Sequence, residues 1–285
     1  MNLLWLFILG GLWGSSYLFI KVAVAEVPPL TLVAGRLVLA AAILWVILLA
    51  ARQAMPRSRR LWAAYAVMGL LNGALPYSLI FWSEQHISSG LASLLQATMP
   101  LFTVLMGHFL LRDERLTAGR VVGVILGFVG VGLLMLPDLR QGAHANLLGQ
   151  LAMVASSVSY AGAALLARSR LRGQPALAST AGQLTMGALW IVPLSLLVGG
   201  LQLKGVPSLP ALASWLGLTI LGTVIAYVIY FRLIERTSAA FTSTVTYIIP
   251  VFGLILGALV LNEPLSLTLL VSLGLILAGV LLVRR

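Results

Sequence analysis

The chain has 285 residues, 60% of them hydrophobic and 9% charged, with a formal net charge of +11 and no cysteine. Soluble domains carry roughly a quarter charged residues, so a water-soluble core cannot hide this much apolar side chain, and disulfides and thiolate metal sites are excluded. The positive balance calls for a membrane explanation before a nucleic-acid one, because too little chain lies between the apolar stretches to form a separate domain in water.

A membrane span needs about 20 mostly apolar residues, since the hydrocarbon layer is about 30 Å thick and a helix rises about 1.5 Å per residue. From the N-terminus, apolar runs predict spans at 3–21, 30–50, 61–82, 90–111 and 118–136. A second set follows at 148–167, 177–198, 212–231, 239–261 and 266–283. The first span carries Trp13 and Tyr17 and is followed by Ala23-Val24-Ala25, which looks like a signal-peptide cleavage site; lacking a basic leader, it reads as a retained span. The second holds Arg36 about a third of the way in. A cation at that depth should pair, face water or snorkel to the interface.

The third span carries Asn72, Tyr77 and Trp82, with Trp62 at its start. In the fourth, Ser89, Ser93, Gln96, Pro100, Thr103 and Gly107 recur at spacings of three and four, which places them on one helical face. Gly119, Gly123 and Gly127 in the fifth allow close helix approach, within the protein or in a homo-oligomer. The sixth span brings Ser156 and Tyr160, and the eighth Tyr227 and Tyr230, with Trp215 at its start. The ninth repeats the small and polar face with Ser243, Thr246, Pro250, Gly253 and Gly257. Trp62 and Trp215 read as interfacial anchors.

Lysines and arginines divide unequally between the two sets of loops. Arg52, Arg57, Arg59, Arg60, Arg112, Arg115, Arg120, Arg168, Arg170, Arg172, Arg232, Arg236, Arg284 and Arg285 fall on one side, against Lys21, Arg140 and Lys204 on the other. Because positive loops stay cytoplasmic, both termini are expected in the cytoplasm. Every acidic residue, Glu26, Glu84, Asp113, Glu114, Asp138, Glu235 and Glu263, falls at or near a span end. A proton relay would want a carboxylate within the spans, so the sequence argues against carboxylate-driven coupling; Glu114 and Glu263 read as caps for the spans that follow them.

The two sets of spans are copies. Trp13, Lys21, Pro28, Gly35 and Leu37 recur 147 positions later as Tyr160, Arg168, Pro175, Gly182 and Leu184. Tyr77, Phe81, Ser88, Ser93 and Pro100 recur at 150 as Tyr227, Phe231, Ser238, Ser243 and Pro250. Glu114-Arg115-Leu116 and Gly130-Val131 recur at 149 as Glu263-Pro264-Leu265 and Gly279-Val280. Each copy has five spans, an odd number, so the second must enter the membrane from the opposite side. The expectation is an all-α integral membrane protein of ten transmembrane helices in two inverted five-helix repeats, 1–138 and 147–285. Inverted repeats are typical of secondary transporters with a site near the midplane.

The run Gln96-Ala-Thr-Met-Pro100 through Glu114, with Gly123 and Gly130-Val131-Gly132, resembles the fourth and fifth helices of an EamA domain. Tyr247-Ile-Ile-Pro250 through Glu263-Pro-Leu, Leu12-Trp13-Gly14 with Lys21, and Gly35-Arg36 match the same pattern. The resemblance is to ten-helix members of the drug/metabolite transporter superfamily, among them bacterial exporters of aromatic and neutral amino acids. It implies an exporter of the bacterial inner membrane, working by alternating access on a small-molecule substrate. No cofactor, metal or nucleic-acid partner is expected, and the partners are the lipid bilayer and, through the glycine faces, a second copy in a homo-oligomer.

On that reading Trp13, Tyr17, Asn72, Tyr77, Ser93, Gln96, Ser156, Tyr160, Tyr227 and Thr246 bind substrate, Pro100 and Pro250 act as hinges or gates, and Arg36 holds a substrate carboxylate. A drug or another metabolite is the alternative cargo. An intramembrane enzyme is disfavoured, because the three histidines, His86, His108 and His144, form no metal-binding motif and no acidic pair lies mid-span.

Overall fold

The computed structural model describes residues 1–111, 116–198 and 205–284. Among these, eight helices are long and apolar enough to cross a membrane: Asn2–Val24, Pro29–Ala50, Arg59–Ser83, Ser89–Leu110, Ala118–Gln141, His144–Arg170, Ala176–Leu197 and Leu209–Arg236. A ninth, formed by a turn at Ala239–Thr242 and the helix Val245–Leu261, and a tenth, Leu267–Arg284, complete the all-helical membrane fold read from the sequence. Arg112, Asp113, Glu114, Arg115, Lys204 and Arg285 lie outside the described residues.

Local signals set the helix ends. Pro28 and Pro175, equivalent positions of the two copies, precede the second and seventh helices with φ of −56° and −57°, the preorganised entry angle proline supplies. Ser88 and Ser208 accept hydrogen bonds from the backbone N–H of Leu91 and Ala211, capping the fourth and eighth helices. The fifth helix stops at Gly142, whose φ of +65° is cheap only for glycine.

The helices pack chiefly across the two copies. First meets ninth, second meets seventh, third meets sixth and seventh, fourth meets ninth, and fifth meets tenth. The core therefore lies between the halves, where an inverted-repeat transporter needs its site. Small residues permit the approach: a Cβ on Gly123 would lie 2.6 Å from the Gly279 carbonyl oxygen, and one on Gly69 2.6 Å from that of Gln183. Gly123 and Gly127 thus serve packing as their spacing predicts, whereas Gly119 faces open space. Trp215 departs from its reading as an anchor: its indole donates to the Leu32 carbonyl at 3.1 Å and its ring covers Gly35, joining two helices.

Two features interrupt the helices. The third contains a π-helical turn at Leu70–Ala74 and the eighth one at Ile220–Ile225, at positions 150 apart. Such turns open the backbone ladder and recur at functional sites. The fourth helix breaks at Ala97–Thr98, just ahead of Pro100, and the ninth at Ser243–Thr244, six residues before Pro250. Pro250 is helical, so the two copies bend at different places despite sharing the proline.

Candidate functional site

A cavity of about 540 Å³ lies between the halves, within the usual range for small-molecule sites. Its inner end is formed by Tyr17, Ile20, Arg36, Tyr77 and Ile80, and it extends to Leu171 and Gln174 in the turn between the sixth and seventh helices. Trp13, Tyr17, Arg36, Asn72, Tyr77, Gln96, Tyr160, Tyr227, Thr246 and Pro250 all line it, as the sequence reading grouped them. Ser93, Ser156 and Pro100 do not. The Ser93 hydroxyl turns back to the Gly90 carbonyl at 2.8 Å and its Cβ abuts Gly253, while Ser156 stands behind the wall and donates to Gln96 Oε1 at 2.8 Å.

Both π-helical turns deliver polar groups to this wall. Thr223, in the eighth helix, accepts from Arg36 Nε at 3.0 Å. Asn72, in the third, donates to Gln183 Oε1 at 3.0 Å and to the Tyr227 hydroxyl at 3.4 Å. Arg36 and Gln183 are repeat partners, 147 positions apart, so the same contact between a seventh- or second-helix side chain and the opposing π-helical turn is made twice. Gln183 and Thr223 were not among the sequence candidates. The repeat register pointed to Gln183, whereas no residue pattern announces a π-helical turn.

Arg36 is only 5% exposed, its guanidinium carbon stacks 4.0 Å from the Tyr77 ring centroid, and among the described residues it is the one charged side chain lining the cavity. At the helix centre an arginine costs about 2.5–3.5 kcal/mol on insertion scales, an upper bound for Arg36 about a third of the way into its span. The single neutral hydrogen-bond acceptor and the ring, at about 0.5–2 kcal/mol for a cation–π contact, occupy Nε and one face. Among the described residues no carboxylate bonds it, so its terminal N–H groups remain available to an anion or water.

Opposite this cation is an aromatic wall. Trp13 meets Tyr227 edge-on at 6.2 Å and Tyr230 at 5.5 Å, and Tyr227 stacks on Phe231 at 6.0 Å. Rings in such offset arrangements suit a flat or apolar body while their hydroxyl and indole edges orient polar groups.

At its inner end the cavity is shut off from the far side of the protein by bonds among helix ends. Lys21 Nζ donates to the carbonyls of Glu84 and Ile87 at 2.6 and 2.7 Å. The Glu263 carboxylate accepts from the N–H groups of Ser89 and Gly90 at 2.7 and 2.9 Å and from the Ser89 hydroxyl at 3.1 Å. Glu263 therefore caps the fourth helix, in the other copy, and not the tenth helix that follows it. Glu26 accepts from the Ser208 backbone N–H and hydroxyl, which hold its carboxyl below the usual carboxylate range. Each of these bonds joins separate helices or loops, and two of them cross between the copies.

Comparison with known proteins places this architecture. The family model of the EamA-like transporter family matches residues 1–136 and again 147–285. The chain is 30% identical over 279 residues to the uncharacterized transporter YvbV of Bacillus subtilis (strain 168), covering 96% of this chain and 88% of that protein. It is 30% identical over 282 residues to the uncharacterized inner membrane transporter YedA of Escherichia coli (strain K12), covering 98% and 89%. A solved crystal structure shares the fold with a TM-score of 0.68 at 21% identity, over 99% of this chain and 96% of that one. With both copies matched over nearly their whole length, the chain belongs to the EamA-like transporter family.

Proposed function

We propose that this transporter exports small metabolites bearing a carboxylate, neutral and aromatic amino acids foremost, across a bacterial inner membrane by alternating access between its two repeats, 1–138 and 147–285. The observation that carries the reading is the pairing, in one cavity, of an arginine without a counter-ion and a wall of tryptophan and tyrosine. Arg36 would take the carboxylate and Trp13, Tyr77, Tyr160 and Tyr227 the side chain, with Tyr17, Asn72, Gln96 and Thr246 orienting the polar groups. Ser93 and Ser156 act at one remove, by fixing the fourth helix and Gln96. The breaks ahead of Pro100 and Pro250 let the fourth and ninth helices bend as the ends open.

The basic loops give the orientation. They support an orientation with both termini and the Gln174 end of the cavity in the cytoplasm, on which this is the inward-open state and the Lys21 end is the outer, closed one. Closing the cytoplasmic end and parting the outer bonds would expose the same site to the other side.

Radiolabelled counterflow in proteoliposomes tests the reading, with neutral, aromatic, acidic and basic amino acids offered in turn. Uptake of neutral or aromatic amino acids well above empty liposomes is expected. Background uptake for every amino acid by folded protein would overturn the cargo class and leave a drug or another metabolite in its place.

A further inference from the structure

One buried group takes no part in the cargo site. Glu84, at the outer end of the third helix, is 0% exposed, and neither of its carboxyl oxygens has a hydrogen-bond partner among the described residues. Lys21, its nearest cation, spends its donors on the main-chain carbonyls of Glu84 and Ile87 instead. An ionised carboxylate with no donor in such a place costs several kcal/mol, and the neutral acid far less. The sequence placed Glu84 among the acidic residues at span ends and argued from them against carboxylate-driven coupling; its burial reopens that reading for this one residue.

The groups facing Glu84 come from several elements. The first helix supplies Lys21 and Tyr17. Glu263 approaches from the turn before the tenth helix with its own oxygens already satisfied, adding like charge. Across the sixth helix, Asp138 is held by Asn146 and Gln150, and His86 on the same turn as Glu84 stacks on Trp82. Burial pushes the Glu84 carboxyl well above the usual carboxylate range, against the pull of Lys21 and helped by Glu263.

From the burial of Glu84, its lack of any partner, and its place beneath the Lys21 contacts, we infer that Glu84 is a proton-binding site linked to the outer gate. The closed gate holds the proton, and the open gate releases it to the outer water. The repeat counterpart of Glu84, 150 positions on, is Ile234, which lines the cavity at the cytoplasmic end. The carboxyl is therefore a feature of one end of this fold and not of the repeated pattern.

The sign follows from linkage. A carboxyl whose proton affinity is higher in the closed state binds a proton on closing, so outer acidity favours the inward-open state and outer alkalinity favours opening. Between its ordinary open-state pKa of about 4.3 and its raised closed-state value, the open-to-closed ratio rises up to about tenfold per pH unit.

The inference rests on the orientation proposed above, and its test uses no cargo. The chain lacks cysteine, so single thiols can be placed at Val27, 1% exposed beside the outer gate, and at Val206, 95% exposed on the same side. A membrane-impermeant maleimide is added outside sealed right-side-out vesicles at a series of outer pH values. The ratio of the Val27→Cys labelling rate to the Val206→Cys rate removes the thiol's own titration.

That ratio is expected to climb with pH, and to stay low and flat when Glu84→Gln is added to the Val27→Cys chain. A flat ratio with Glu84 intact, or an equal climb in the Glu84→Gln chain, would overturn the proton site. If Glu84→Gln fails to fold, the intact chain's profile alone decides. Labelling of Val206→Cys only from the cytoplasmic face would instead refute the orientation.

Discussion

The two ends of the cavity are built from equivalent positions of the two copies and are held differently. At the Lys21 end, the ammonium ties the first helix to the carbonyls of Glu84 and Ile87. At the other end, the repeat counterparts are Arg168, exposed at the end of the sixth helix, Ile234, which lines the cavity, and Thr237. The position whose carbonyl Lys21 holds on one side thus lines the cavity on the other. One end is held by these bonds while the cavity reaches the helix ends at the other, and on the alternating-access reading proposed above the two arrangements exchange between the copies.

The largest way to break this comparison is to remove the tie itself. Lys21→Met deletes two charge-assisted hydrogen bonds, each worth about 1.5–3 kcal/mol. The outer end should open by about a hundredfold or more relative to the parent, read as faster external labelling of Val27→Cys, and export should fall. Unchanged labelling in a folded Lys21→Met chain would show that the outer end is held by apolar packing instead.

Glu263→Gln comes next. It removes the charge that caps the fourth helix while keeping the side chain's shape. A carboxylate at a helix N-terminus contributes about 1–2 kcal/mol through the cap and the helix dipole. External labelling should rise about five- to thirtyfold, with little change in cargo selectivity. The fourth-helix N-terminus is more than 170 residues away from Glu263 in sequence, so this loss would also measure how tightly the two copies are coupled.

A variant that sharpens the comparison instead is Ile234→Glu. It puts at the cytoplasmic end the carboxyl that only the outer end has. If proton binding belongs to position and burial, cytoplasmic pH should now shift the equilibrium by several-fold, read as pH-dependent counterflow from the inner face, where the parent shows none.

These contrasts also mark what the sequence could convey. The ten spans, the duplication and most of the cavity wall were legible, because apolar runs of membrane length and side chains repeated at a constant offset are properties of the sequence itself. Trp215 was misread since an indole at a span start has the same local pattern whether it meets lipid headgroups or a glycine on a neighbouring helix. Glu263 was assigned to the wrong helix because capping partners close in sequence are visible and those across the repeat are not. Glu84 was grouped with the other span-end carboxylates for the same reason: its burial comes from tertiary packing, which its place at a helix end does not reveal.

The smallest expected effect separates the two carboxylates of the outer end. Ser208→Ala removes the hydroxyl bonded to Glu26, an exposed pair screened by water, and should change external labelling by no more than about twofold at neutral pH. Its pH dependence has the opposite sign to that of Glu84. The Ser208 bonds lower the Glu26 pKa in the closed state, so this contact is intact above the usual carboxylate range and is lost as pH falls through the lowered value. Acid therefore favours opening through Glu26 and closing through Glu84. The two act in different windows, with Glu26 titrating only below its ordinary pKa and Glu84 above the ordinary carboxylate range. An external labelling profile that falls from alkaline to mildly acidic pH and turns upward only in strong acid, with the upturn reduced in Ser208→Ala, would assign each limb to its carboxylate. A profile with the mildly acidic limb missing would leave Glu26 as the sole titrating contact of the outer gate.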